Sequence, residues 1–146
     1  MTLDDLRKAV PANDWLTDAE ARVTAEPGAL EILYARAERK LGRDEVAEGW
    51  TAGQAGRAIL LAKRPEQAED VYRHGDAAEK LAVLKALPLV EETDAGVPLL
   101  LDALRTNDTR LVAEALGPYA RHLDAATWRQ GVIKCVFMGV PLAKIH

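Results

Sequence analysis

Val83-Leu84-Lys85-Ala86-Leu87, Leu100-Leu101-Asp102-Ala103-Leu104, Val112-Ala113-Glu114-Ala115-Leu116 and Val132-Ile133-Lys134-Cys135-Val136 share one pattern. Two aliphatic or small residues precede a charge, a small residue and a further aliphatic one. The first and third copies start 29 residues apart, the second and fourth 32 apart. Alternate segments thus recur at about the length of one helical hairpin. Stacked αα units that bury their faces against neighbours have this period.

The residues around these copies read as helix signals. Asp76-Ala77-Ala78-Glu79 has capping-box spacing, with Asp as cap and Glu three residues on. It opens a helix through Leu81, Val83, Leu84 and Leu87 that Pro88 is expected to stop. Another begins near Thr93 or Asp94, accommodates Pro98 in its first turn and runs to Arg105. Asn107 or Asp108 caps the next, which ends at Gly117-Pro118. Asp124 caps the last, through Trp128, Val132 and Val136 to about Met138. Upstream, helical periodicity covers residues 3–10, 13–26, 29–41, 51–63 and 65–74. Gly42 ends the third of these, and Gly53 and Gly56 weaken the first turn of the fourth. Residues 43–49 read as a connector, and no strand-like alternation interrupts the chain. The expectation is an all-α fold. It is one helical-repeat domain over residues 1–146, a HEAT-like α-α superhelix of about eight antiparallel helices.

Composition agrees. Of 146 residues, 49% are hydrophobic, mostly Ala and Leu, and only 5% aromatic, which favours helix on helix. The 19 basic and 23 acidic residues leave a net charge of −4, so the chain lacks the basic footprint of a nucleic-acid binder. A lone Cys135 forms no internal disulfide and reads as a buried thiol in a reducing compartment. The acidic N-terminus has no apolar signal core. The most apolar run, residues 132–142, contains Lys134 and is too short to span a bilayer. A cytoplasmic protein, not integral to a membrane, is the default.

Catalytic signatures are missing. There is no Gly-rich phosphate loop, no His pair at metal spacing, no Ser and no second Cys for a zinc site, so neither metal nor cofactor is expected. Three polar stretches remain. Tyr72-Arg73-His74-Gly75-Asp76 reads as a helix-to-helix corner, with Gly75 in a left-handed turn, Asp76 as cap and His74 against the helix dipole. Its functional reading makes Tyr72, Arg73 and His74 part of a polar pocket. Arg105-Thr106-Asn107-Asp108-Thr109-Arg110 suits a turn and an N-cap. Arg105 and Arg110 alternatively form an anion-binding corner with the exposed amides of the helix N-terminus at Asn107 and Asp108. Gln130 and Lys134 lie four apart on one face of the last helix, in an apolar setting. There a lysine either snorkels to the surface or serves a pocket. The apolar remainder of that helix calls for a cover, by further chain or by a second copy in a homodimer.

Tyr72-Arg73-His74-Gly75-Asp76-Ala77-Ala78-Glu79 followed by Val83-Leu84-Lys85-Ala86-Leu87-Pro88 resembles the middle of EboA-like proteins. Ala103-Leu104-Arg105-Thr106-Asn107-Asp108-Thr109-Arg110, Gly117-Pro118-Tyr119-Ala120 and Trp128-Arg129-Gln130-Gly131-Val132-Ile133-Lys134-Cys135-Val136-Phe137 resemble the same family, in order and spacing. The resemblance covers residues 71–142 and is looser before them. Family members continue for several helical turns past this point, so the chain reads as truncated at its C-terminus. The resemblance implies a cluster context rather than a reaction. Such proteins are encoded beside a UbiA-type prenyltransferase, a dehydroquinate-synthase-like enzyme and TIM-barrel or TatD-like proteins, in clusters tied to making or exporting a secondary metabolite. No catalytic residue carries over.

The function expected is therefore a non-catalytic accessory protein. It binds a pathway enzyme or a small metabolite through a groove near Tyr72, Arg73, His74, Arg105, Asn107, Asp108, Gln130 and Lys134. The alternative is a small-molecule enzyme using Lys134 with Tyr72, His74 or Asp108 as acid/base groups.

Overall fold

Side-chain caps set most of the helix starts. In the computed structural model, which describes residues 1–141, 143 and 145, Thr2 and Asp5 form a capping box that opens α1 (Leu3–Ala9). Asn13 accepts from the Leu16 N–H at 2.9 Å to open α2 (Asp14–Ala25). Helix α3 (Ala29–Leu41) ends at Gly42. Thr51 and Gln54 box the start of α4 (Ala52–Leu61). A 3₁₀ turn over Pro65–Gln67 leads into α5 (Ala68–His74), and the Asp76/Glu79 box starts α6 (Ala77–Val90). A second 3₁₀ turn, Asp94–Gly96, precedes α7 (Val97–Leu104), where Pro98 sits in the first turn. Asp108 caps α8 (Thr109–Ala115). A 3₁₀ segment, Pro118–His122, follows, and Asp124 caps α9 (Ala125–Met138). Leu142 and His146, the ends of the apolar run and of the chain, lie outside the described residues.

The all-α expectation holds at this level, with nine α-helices among the described residues instead of about eight. Three local expectations fail. First, the presumed connector carries a small antiparallel hairpin, β1 (Glu45–Ala47) and β2 (Trp50–Thr51), pairing Glu45 with Thr51 and Ala47 with Trp50. Strands this short have no readable period, and the hairpin is held from a distance. The Lys85 ammonium on α6 donates to the Gly49 carbonyl and lies 4.9 Å from the Trp50 ring centroid.

Second, Pro88 does not stop α6, which continues to Val90. Leu89 and Val90 pack on the main core, and the Glu91 N–H closes the last turn on the Leu87 carbonyl at 2.9 Å. Packing outweighs the missing N–H so near the helix end. Third, Gly75 is extended, at φ −88° and ψ 159°, and not left-handed. Its glycine answers a close approach instead, because a Cβ there would stand 2.9 Å from the Glu79 Cβ.

Helix α4 is buried along nearly its whole length and is the packing centre. It meets α1, α2, α3 and α6; α6 meets α5 and α8; α8 meets α7 and α9. One apolar cluster runs from Leu6 through Leu30, Leu60, Leu84 and Leu100 to Tyr119. A smaller one gathers Val112, Leu116, Cys135 and Val140, with Trp128 and Val132 against it. Among the described residues no helix is long and apolar enough to cross a membrane.

Candidate functional site

The charge in each repeat copy has a common destiny. Lys85, Asp102, Glu114 and Lys134 are all half-buried, where a helix meets its neighbours. Burial pushes the Lys85 ammonium below the ordinary lysine range, while the Glu114 and Glu45 carboxylates support its charge. Asp102 is the carboxylate that acts on the buried Tyr72 phenol. Lys134, from the middle of α9, donates to the carbonyl of Leu104, the last residue of α7, at 2.5 Å. A cation on the final carbonyls of a helix satisfies an orphan acceptor and complements its dipole.

Around that contact the structure opens. A cleft of about 370 Å³ lies between the C-terminal end of α7 and the outer flank of α9. Leu101, Leu104 and Arg105 line one wall; Thr127, Gln130, Gly131 and Lys134 line the other. The α9 residues follow helical spacing of three and four, so one stripe of the helix forms the wall. Gly131 sets the depth of the approach: a Cβ there would stand 2.9 Å from Leu116 Cδ2 and 3.2 Å from Leu104 Cδ2.

Three residues singled out from sequence, Arg105, Gln130 and Lys134, meet at this cleft. The others have different settings, and none lines it. Tyr72 is buried, and burial first and the Asp102 carboxylate second raise its pKa. Arg73 pairs with Glu69 one turn back on α5 at 2.8 Å. His74 Nδ1 lies 3.2 Å from Glu31 Oε1, tying α5 to α3 at the surface. Asn107 is exposed in the α7–α8 turn. Asp108 accepts from the Arg110 N–H at 2.9 Å and pairs with its guanidinium. Leu101, Leu104, Thr127 and Gly131 escaped the sequence reading. Their helical stripes are legible, but which stripes face each other is not.

Cys135 is buried, and burial raises its thiol pKa, which opposes formation of the reactive thiolate. Among the described residues no group of three or more His, Cys, Asp or Glu is placed to hold a metal ion.

Asp108 supplies a pH prediction. The Arg110 side chain, then the Arg110 and Leu111 amides, hold its carboxyl below the ordinary range. The native state therefore binds fewer protons than the unfolded chain, so the contribution is present above the unfolded pKa, about 3.8, and fades as pH falls through the lower native one. Thermal melts between pH 2.5 and 5 will show a flatter acid limb in Asp108→Asn than in the parent. Parallel limbs would contradict this assignment.

No curated protein and no solved structure matches the chain. Residues 28–146 match the family model described as metabolite traffic protein EboA, a span that begins well before residue 71, and the chain belongs to the EboA family.

Proposed function

We propose that the chain is a non-catalytic accessory protein of metabolite traffic that holds a small molecule in the cleft between α7 and α9. The observation that carries this reading is the convergence of Arg105, Gln130 and Lys134 on a cavity of about 370 Å³. That volume falls within the range of small-molecule sites, and a few polar groups on apolar walls are their usual lining. The alternative enzyme needs Tyr72, His74 or Asp108 beside Lys134. Their separate settings favour binding over acid/base work. The successive contacts α4 to α6 to α8, each with an odd-numbered partner, support a HEAT-like stack over residues 1–146 as one unit. We place the protein in the cytoplasm, in a cluster that makes or exports a secondary metabolite.

A second surface supports partner binding. Ile133, Val136 and Phe137 of α9 are 55%, 55% and 86% exposed, an unusual concentration of apolar surface on one helix. A pathway enzyme or a second copy of the chain is the occupant this reading expects.

Native mass spectrometry of protein purified from its own host separates the two. The cleft reading expects a co-purifying small molecule, lost in Lys134→Met at unchanged fold by circular dichroism. Retention of the same molecule by Lys134→Met would place the ligand elsewhere. A ligand-free protein bound to another protein would favour α9 as the working surface.

A further inference from the structure

Resting on the cleft reading, we infer that the occupant is an anion: a small molecule with a carboxylate-like head on an apolar, ring-sized body. The cleft carries two cations, Arg105 and Lys134, and no acidic side chain among its described lining residues, in a chain whose net charge is −4. One competing account makes both cations mere complements of the α7 C-terminus. Magnitude decides against it. A helix end carries roughly half a negative charge, against two full positive ones. The Lys134 ammonium uses one donor on the Leu104 carbonyl and keeps two more. The Arg105 side chain is exposed at the rim, with a planar fork of donors that matches a carboxylate. Gln130 adds a neutral donor beside it.

The rest of the wall is not built for a bare ion. Leu101 and Leu104 present methyl groups beside Lys134, and the Leu104 side chain closes over the buried Gly131. An inorganic anion would leave these surfaces wet. A body of one or two fused rings covers them while its head reaches Arg105 and Lys134.

Titration of the full chain with 2-naphthoate, 2-naphthalenemethanol and inorganic phosphate, followed by amide ¹H–¹⁵N spectra, tests this. The carboxylate is expected to shift Leu101, Thr127, Gln130 and Gly131. The alcohol should bind at least about tenfold more weakly, the loss of one charge-assisted hydrogen bond. Phosphate alone should leave these resonances in place. Arg105→Gln, at an exposed position, should weaken the carboxylate about tenfold with Tm unchanged. Equal binding of alcohol and carboxylate would overturn the anion assignment and leave the cleft reading standing. Phosphate shifts as strong as those of naphthoate would overturn the apolar body. Silence of the cleft resonances to all three probes would overturn the cleft reading itself.

Discussion

Arg57→Ala will unfold at a lower temperature than the parent by roughly 5–10 °C, a loss of about 2–4 kcal/mol. Arg57 sits on α4, only 4% exposed, and is the buried charged residue among the described residues. Its Nε donates to the Tyr34 carbonyl at 2.9 Å and a terminal nitrogen reaches the Ala35 carbonyl at 3.3 Å, both on α3. The guanidinium carbon lies 5.2 Å from the Tyr34 ring centroid. The Tyr34 hydroxyl in turn donates to the Glu79 carbonyl at 2.8 Å, so one side chain ties α4 through α3 to α6. Truncation empties a filled volume and removes charge-assisted bonds together.

Arg57→Met separates these terms. Methionine keeps the aliphatic volume and ends the desolvation of a buried cation, so it should cost less than half as much as alanine. Its residual cost should depend on pH. Burial first, and then the Asp76 charge, raise the Glu79 carboxyl, while Arg57 pulls it down. Without Arg57 the native pKa of Glu79 rises further. A raised native pKa contributes stability below the unfolded value that is lost as pH rises through the native one. Arg57→Met should therefore lose more against the parent at pH 7 than at pH 4. Equal Tm values for Arg57→Ala and the parent would mean that the guanidinium does no packing work.

Arg57 also shows what could be read from sequence and what could not. Gly53 and Gly56 mark residues 51–63 as an imperfect helix, since glycines cost helix propensity, and nothing local singles out Arg57. In the fold α4 is the packing centre, because small residues let α3 approach it closely: a Cβ on Gly53 would stand 2.9 Å from the Glu38 Cα. Local propensity and tertiary packing point in opposite directions there, and only the second depends on partners far along the chain. Caps behave in the opposite way. Asn13, Asp76, Asp108 and Asp124 were legible because a cap bonds its own helix within three residues. Half of the cleft was legible for a similar reason, Gln130 and Lys134 being one turn apart. On the facing wall Arg105 stands out by its place in a polar turn, whereas Leu101 and Leu104 come from roughly a hairpin earlier and no local pattern pairs them with α9.

Gly131→Leu will release α9 from the rest of the molecule, at a loss of about 2–3 kcal/mol. Even a Cβ at this position meets Leu116 Cδ2 at 2.9 Å, and Leu116 is fully buried. It belongs to the small cluster with Val112, Cys135 and Val140, so it has little room to retreat. The larger side chain must displace either Leu116 or α9. Displacing α9 is the easier course, because α9 packs chiefly on α8 through that small cluster, whereas α4 and α6 share the large one. Segments with few buried apolar contacts open separately from the core. Hydrogen exchange should show α9 amides less protected than those of α4 and α6 in the parent. In Gly131→Leu the α9 amides should lose protection while those of α4 and α6 keep theirs, and 2-naphthoate should no longer shift Leu101. Uniform loss of protection across all helices would show instead that α9 is an integral part of one cooperative core. Unchanged exchange with retained binding would show that Leu116 yields. Either result would remove the close approach of α9 to α7 and α8 as the device that shapes the cleft.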